Sequence, residues 1–485
     1  MRSSLIVPCL SLVAVACADS TATGGSDLAV QPADATLAIP VDFAPSVVAD
    51  FQVNMVDGGA TPVTLTVLAG GVTPEANVSV FFSDASGAQL GSVVLTDAMG
   101  RAALVVPAGS QVTAIFGTAD APTLVTITAV RPGDSLIVFD PPIPSMDTVT
   151  NASVDSVPPS PPTGTTSYEA VVATSCNQYF SKPPQAFPLR RRCIAGGKFP
   201  LLLLPIGNAS NELGAFTFIK HNVAGTSASA TTSLNPTIAW ATTVATPSLS
   251  VKSQPFGKGG EVAFIEIADE VPIAQVGRFD DTSNGKPAQS SSFIEHTGFP
   301  DAVQGEAAIE DNLGSLIAVS GIATRANTSA SLAVFDLTQL LPALSNGTID
   351  DTMPGRPSLS FTGPPSLAGA DGEELLIAWS EDLSSGGQRK GSWMVIAPPT
   401  ATKAPTPQLP TSLAAFGPSS TAKYTPALVS ILEGTFISGY DQFRATFSTL
   451  PPADALLGAD FNQTQLPLLP VNGTLRITAL TPNQD

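Results

Sequence analysis

An all-β chain assembled from several sandwich modules is predicted by three features of the sequence. Short runs alternate apolar and polar residues with period two. Turn residues separate them, with 40 Gly and 44 Pro among 485 residues. A helical turn is hinted at only over 336–341, and Pro342 stops it. At about 100–200 residues per domain the length calls for three or so units. A hydrophobic content of 43% is too high for wholesale disorder. With 13% charged residues and a net charge of −19, the surface repels nucleic acid, so no nucleic-acid partner is expected.

The chain opens on a leader. Residues 1–16 carry one positive charge, Arg2, then an apolar run from Leu5 to Val15, and Ala14, Val15 and Ala16 lead into Cys17. This layout resembles the bacterial lipobox, although that family prefers Leu where this chain has Ala14. The resemblance implies removal of residues 1–16 as a signal peptide and lipid attachment at Cys17. The chain is then exported and lipid-anchored to the cell envelope, with a membrane as partner through the lipid. Ala18 in place of an Asp points to the outer membrane. An ordinary leader, cut near Ala16 or Ala18, is the alternative. The apolar run is shorter than the ~20 residues needed to span a bilayer.

Residues 17–43 read as a tether and lead-in, small and polar at Asp19, Ser20, Thr21, Gly24 and Gly25. Residues 44–139 form the first module. Val63-Thr64-Leu65-Thr66-Val67 alternates, and further runs begin at Asn77, Ser92, Ala103, Gln111 and Val125, about ten residues apart, as in a sandwich of immunoglobulin size. Thr96-Asp97-Ala98-Met99-Gly100-Arg101 and Pro107-Ala108-Gly109 resemble the turns of bacterial carboxypeptidase-regulatory-like and immunoglobulin-like modules. In the first turn Asp97 should fold onto nearby backbone N–H groups and Gly100 should supply a positive φ. The resemblance implies a non-catalytic spacer or binding module.

Gly133-Asp134-Ser135-Leu136 spells the signature of an esterase family that uses its Ser as nucleophile. That family also needs Asp-x-x-His, and here Phe218 and Phe293 stand three residues before His221 and His296. A turn is therefore expected at 131–134, and no catalytic residue is assigned.

Residues 140–166 hold seven prolines and read as a stiff linker. Residues 167–252 read as a small β domain. With Cys9 in the leader and Cys17 taking the lipid, Cys176 and Cys193 are the only thiols left in the folded body, and an even pair in an oxidising compartment predicts a disulfide. Lys182, Arg190, Arg191, Arg192 and Lys198 form the sole basic cluster, read as a solvated loop. Residues 253–485 read as a larger C-terminal β domain, jelly-roll-like, with a β-propeller as alternative. Strands are expected at several runs here, Phe443 to Phe447 among them, and Leu375–Trp379 and Trp393–Ala397 should form a hairpin around a loop at 380–391.

Candidate sites in this region are few. Asp280-Asp281-Thr282-Ser283-Asn284-Gly285 resembles the opening of a calcium loop, yet Ser291 stands where that loop needs a carboxylate. Glu373 with Glu374, and Asp350 with Asp351, should point to opposite faces and sit in solvated turns. Trp379 and Trp393 are read first as hairpin core, with ligand contact by ring stacking as the alternative. No metal and no cofactor are expected. Asn77, Asn208, Asn327, Asn346 and Asn472 begin sequons that a lipobox makes incidental.

Together these readings predict a non-catalytic, lipid-anchored envelope protein whose β-sandwich stalk presents a C-terminal binding or scaffold domain to an unidentified envelope or extracellular ligand. The alternative is an extracytoplasmic, carbohydrate-active hydrolase with its carboxylates in the C-terminal region.

Overall fold

The computed structural model describes residues 61–69, 73–140, 148–172, 178–190, 199–207, 213–220 and 231–482, apart from 258, 284, 315, 354, 363–368, 384–386, 400–402, 426–428 and 448–468. The fold is all-β, with one α-helix among these residues.

A 13-stranded main sheet organises it. Its order is Val271–Asp280, Gly259–Ala268, Ala302–Asn312, Leu316–Ala326, Thr474–Pro482, Val429–Gly434, Gly372–Asp382, Gln388–Ala397, Ala121–Val130, Ser110–Thr118, Ser79–Ser83 and Gln89–Leu95, with Lys423–Thr425 pairing beside Gly372–Asp382. This is one open path of strands, a layered arrangement and not a ring of blades.

Along the path every neighbour is antiparallel except at one seam. There Gln388–Ala397 runs parallel to Ala121–Val130, in register from Ser392 opposite Thr123 to Ile396 opposite Ile127. Antiparallel neighbours arise from hairpins, whereas a parallel pair needs a long crossover. Here the crossover is most of the protein. The division expected from composition, with boundaries at 139 and 252, does not anticipate this pairing.

Smaller sheets cover the main sheet. On one side lies an N-terminal sheet of Val63–Ala69, Thr73–Pro74, Arg101–Leu104 and Ser135–Asp140. Alternation explains it: Val63, Leu65 and Val67 are buried while Thr64 and Thr66 are half-buried. Its inward residues meet Val80, Phe82, Val112, Ala114 and Ile127, and the same core continues across the seam to Ile396, Leu432 and Ile477.

On the opposite side Ser345–Asp350, Ser358–Thr362 and Lys403–Pro405 form a three-stranded cover, with Leu359 and Phe361 packed among Leu375, Ile377, Trp379 and Trp393. A third layer, Ser248–Lys252 with Gln289–Ser292 and Val334–Asp336, packs on Val262, Phe264 and Ile309.

Two further sheets enclose a core of Phe187, Leu189, Phe199, Leu201 and Leu203. One of them uses Thr148–Val154, a strand within the stretch read as linker, paired with Gln185–Arg190 and Thr231–Ser233. Thr150-Asn151-Ala152-Ser153-Val154 lacks proline, and the prolines of 140–166 flank it.

Two other elements differ from the sequence reading. The α-helix is Gly439–Thr446, so Phe443 to Thr446 are helical and not a strand. Tyr440, Phe443 and Phe447 recur at helical spacing, and the Phe443 ring fills the space above Gly372 that a Cβ there would occupy. The hinted turn at 336–341 is a 3-10 segment, Leu337–Gln339, with Asp336 accepting from the Thr338 N–H at 3.2 Å.

Candidate functional site

Three polar clusters, each built around a buried charged side chain, stand out among the described residues. The first lies over the seam. The Tyr440 hydroxyl sits 2.8 Å from the Thr128 carbonyl oxygen and 3.0 Å from that of Ile396, so its one O–H donates to either strand. One turn on, Arg444 is 2% exposed and donates through Nε and Nη2 to Asp134 at 2.8 and 2.9 Å. It also pairs with Asp441, which pairs with Arg131. The helix thus bridges the N-terminal turn and the C-terminal strands.

The second cluster is Glu266 and His296. Glu266 is wholly buried on Gly259–Ala268 and accepts from the His296 backbone N–H at 2.7 Å, and its other oxygen lies 2.7 Å from His296 Nδ1. The imidazole packs edge-on to Phe216 at 4.9 Å. A carboxylate oriented on a histidine suits general acid–base work only where the histidine also faces a reacting group. Here ring and backbone are both bound to one acid, which fastens the Glu295–His296 strand to the main sheet. Sequence reasoning passed over Glu266. Its signal is a lone acid inside the apolar run Phe264-Ile265-Glu266-Ile267-Ala268.

The third cluster closes on itself. Arg389 donates to Glu381 at 3.1 Å and to the carbonyl oxygens of Ala119, Ala415 and Gly417, while Glu381 accepts from the Ser419 N–H. Beyond these clusters, Gln304 donates to Glu306 at 2.7 Å, and burial pushes Glu306 up to about 7.

The residues singled out in the sequence fall as follows. Cys17, Cys176, Cys193, His221, Asn208 and four members of the basic cluster, Arg191, Arg192 and Lys198 with the side chain of Arg190, lie outside the described residues; Lys182 is exposed. Asp97 accepts from the N–H groups of Met99 and Arg101 at 2.8 and 2.9 Å, and Gly100 has φ +70°, as the turn requires. At 131–134 the turn forms through the Asp134 N–H and the Arg131 carbonyl, and Ser135 begins an exposed strand end with Asp134 already engaged by Arg444.

Trp379 and Trp393 lie where the hairpin-core reading expects them. They are 2% and 0% exposed in the core beneath the cover, and Trp393 Nε1 donates to Thr126 at 2.8 Å. Glu373 and Glu374 do point to opposite faces, but from within a strand and buried, not from a solvated turn.

In the segment read as the opening of a calcium loop, Asp281 is engaged by Lys286 and Ser283, which together hold its carboxyl well below the usual range. Among the described residues no three His, Cys, Asp or Glu side chains are grouped to hold a metal. Asn77, Asn346 and Asn472 sit exposed with φ of 66°, 54° and 65°, Asn346 at the register shift within the strand Ser345–Asp350.

No protein-family model matches the chain, and no curated protein matches it. Solved structures show faint likeness. The Bacillus anthracis TIE protein is 10% identical with a TM-score of 0.14, over 51% of this chain and 45% of that one. BcpA, the major pilin subunit of Bacillus cereus, is 10% identical with a TM-score of 0.15, over 52% and 89%. The pilus adhesin SpaC from Lactobacillus rhamnosus GG is 8% identical with a TM-score of 0.12, over 69% and 44%. The chain thus spans less than half of the first of these, and similarity at this level is no guide to what it binds.

Proposed function

We propose that the protein is a non-catalytic surface scaffold or binding protein, exported and held to the cell envelope, at the outer membrane, by lipid on Cys17. The observation that carries this reading is the closure of the buried polar clusters. His296 is the one histidine among the described residues, and it is bound at ring and backbone by Glu266. Groups engaged in this way, among the described residues, hold layers together instead of facing a substrate. The leader layout supports export, and pairing of Cys176 with Cys193 belongs to the same proposal. The tether of 17–43 then lifts a body in which the N-terminal and C-terminal sheets share one core.

Cell fractionation with a Cys17→Ser variant tests the anchor. Wild type should partition with detergent-extracted envelope and incorporate labelled fatty acid, and the variant should do neither. A variant that stays in the envelope fraction with its label intact overturns the anchor. Hydrolysis of a glycan panel by the purified chain, abolished by a carboxylate substitution, overturns the non-catalytic reading.

A further inference from the structure

Glu373 is wholly buried, and neither of its carboxyl oxygens has a hydrogen-bond partner. Its register partners are Ala397 and Ile431, and Leu375, Ile377 and Trp379 follow it at alternate positions. All belong to the core beneath the cover, so Glu373 faces the junction between main sheet and cover.

Among the described side chains packed on this face no unpaired cation is found, and Lys403 on the cover strand lies among side chains that are not described. On the flanking Gln388–Ala397 strand the nearby residues of that face are Ala397, Val395 and Trp393, and on the cover they are Ile349, Leu359 and Phe361. On the neighbouring strands Glu433 and Arg476 are joined to each other. Glu381 at the far end of its own strand is taken by Arg389. Tyr440 lies across the main sheet on the helix side, its hydroxyl pushed up mainly by burial. An unpaired carboxylate in such a place is strongly disfavoured, whereas the neutral acid is far less so.

We propose that Glu373 is a protonation latch: the cover stays seated on the main sheet while this side chain keeps its proton, and ionisation unseats the cover to bare the face that carries Trp379 and Trp393. The direction follows from linkage. Burial raises Glu373 from the ordinary 4.5 to about 9, so the seated state binds the proton more tightly than the open one. Its advantage is whole below the ordinary value, erodes as pH rises, and is exhausted above about 9. The latch thus holds in acid and neutral solution and lets go in base.

Tryptophan emission reads this directly, because two of the chain's three Trp residues lie on the concealed face. The full chain and Glu373→Gln are titrated between about pH 6 and about pH 10, with backbone circular dichroism recorded alongside. Wild type should shift reversibly to the red near the alkaline end while retaining most of its strand signal, and unseating should release about one proton. Glu373→Gln should keep its blue emission throughout. An equal shift in the variant, or none in wild type, overturns the latch. Infrared spectroscopy of wild type at about pH 8 gives a second reading that does not depend on how the variant folds, since the latch requires a protonated-carboxyl band there. Absence of that band also overturns it.

Discussion

Replacing Arg444 tests whether the helix joins the two ends of the chain. The guanidinium is 2% exposed and makes two charge-assisted bonds to Asp134, which is 19% exposed and keeps only the Arg131 N–H at 2.7 Å when Arg444 is lost. Removing one partner of a buried pair costs about 3–5 kcal/mol. Because Asp134 has some access to water and Asp441 is half-exposed, Arg444→Met should fall near the lower figure, about 3 kcal/mol. Met retains much of the aliphatic packing, so the loss reports the charge interaction. A double-mutant cycle with Asp134→Asn, measured by urea unfolding, isolates the pair, and a coupling of about 2 kcal/mol is expected. Coupling below about 0.5 kcal/mol, the usual limit of additivity for independent sites, would refute a direct connection between helix and N-terminal turn.

Three other outcomes follow from the same geometry. A sequence-specific protease site placed within 141–147 should give two fragments that co-elute under native conditions and part only in denaturant, since the seam pairs residues from both; free separation would contradict the shared sheet. Gly372→Ala places a methyl group where the Phe443 ring lies, so unfolding should show a loss of about 1–3 kcal/mol, and an unchanged midpoint would mean the helix is not seated there. Glu306 is raised to about 7 by burial, so wild-type stability should fall as pH rises from 4.5 through that value. Glu306→Gln should flatten this decline, on the order of 3 kcal/mol, and an identical pH profile would exclude Glu306 as its source.

Much of the local structure is legible in the sequence. The alternation at Val63–Val67, the Asp97–Gly100 turn and the hairpin carrying Trp379 and Trp393 all involve residues close in sequence, so pattern and turn chemistry suffice. The 388–397 strand is a different case: nothing in Trp393 to Ala397 announces that its second neighbour is Thr123 to Ile127, some 270 residues earlier. Parallel pairing leaves no hairpin turn to read. The helix was masked by its shortness and its aromatic residues, which favour strands by propensity. Of the buried clusters, Asp134 and His296 drew attention through motif and residue type, while Arg444 and Glu266 acquire partners only once distant strands align.

The seam also bears on how the chain reaches its final state. Strand Ala121–Val130 carries no charged residue, and until Gln388–Ala397 has been synthesised it is the open edge of a four-stranded ribbon. Closing a loop of this size adds only a few kcal/mol of entropy because the cost grows with the logarithm of length. Delay is the larger burden. At ribosomal rates the missing partner arrives tens of seconds later, and an uncharged, β-branched edge left waiting is a template for pairing with another chain. Early folding of residues 61–140 therefore creates an exposure that only the last third of the sequence relieves, and a holding chaperone for that edge would raise the yield of the finished protein more than any gain in its final stability.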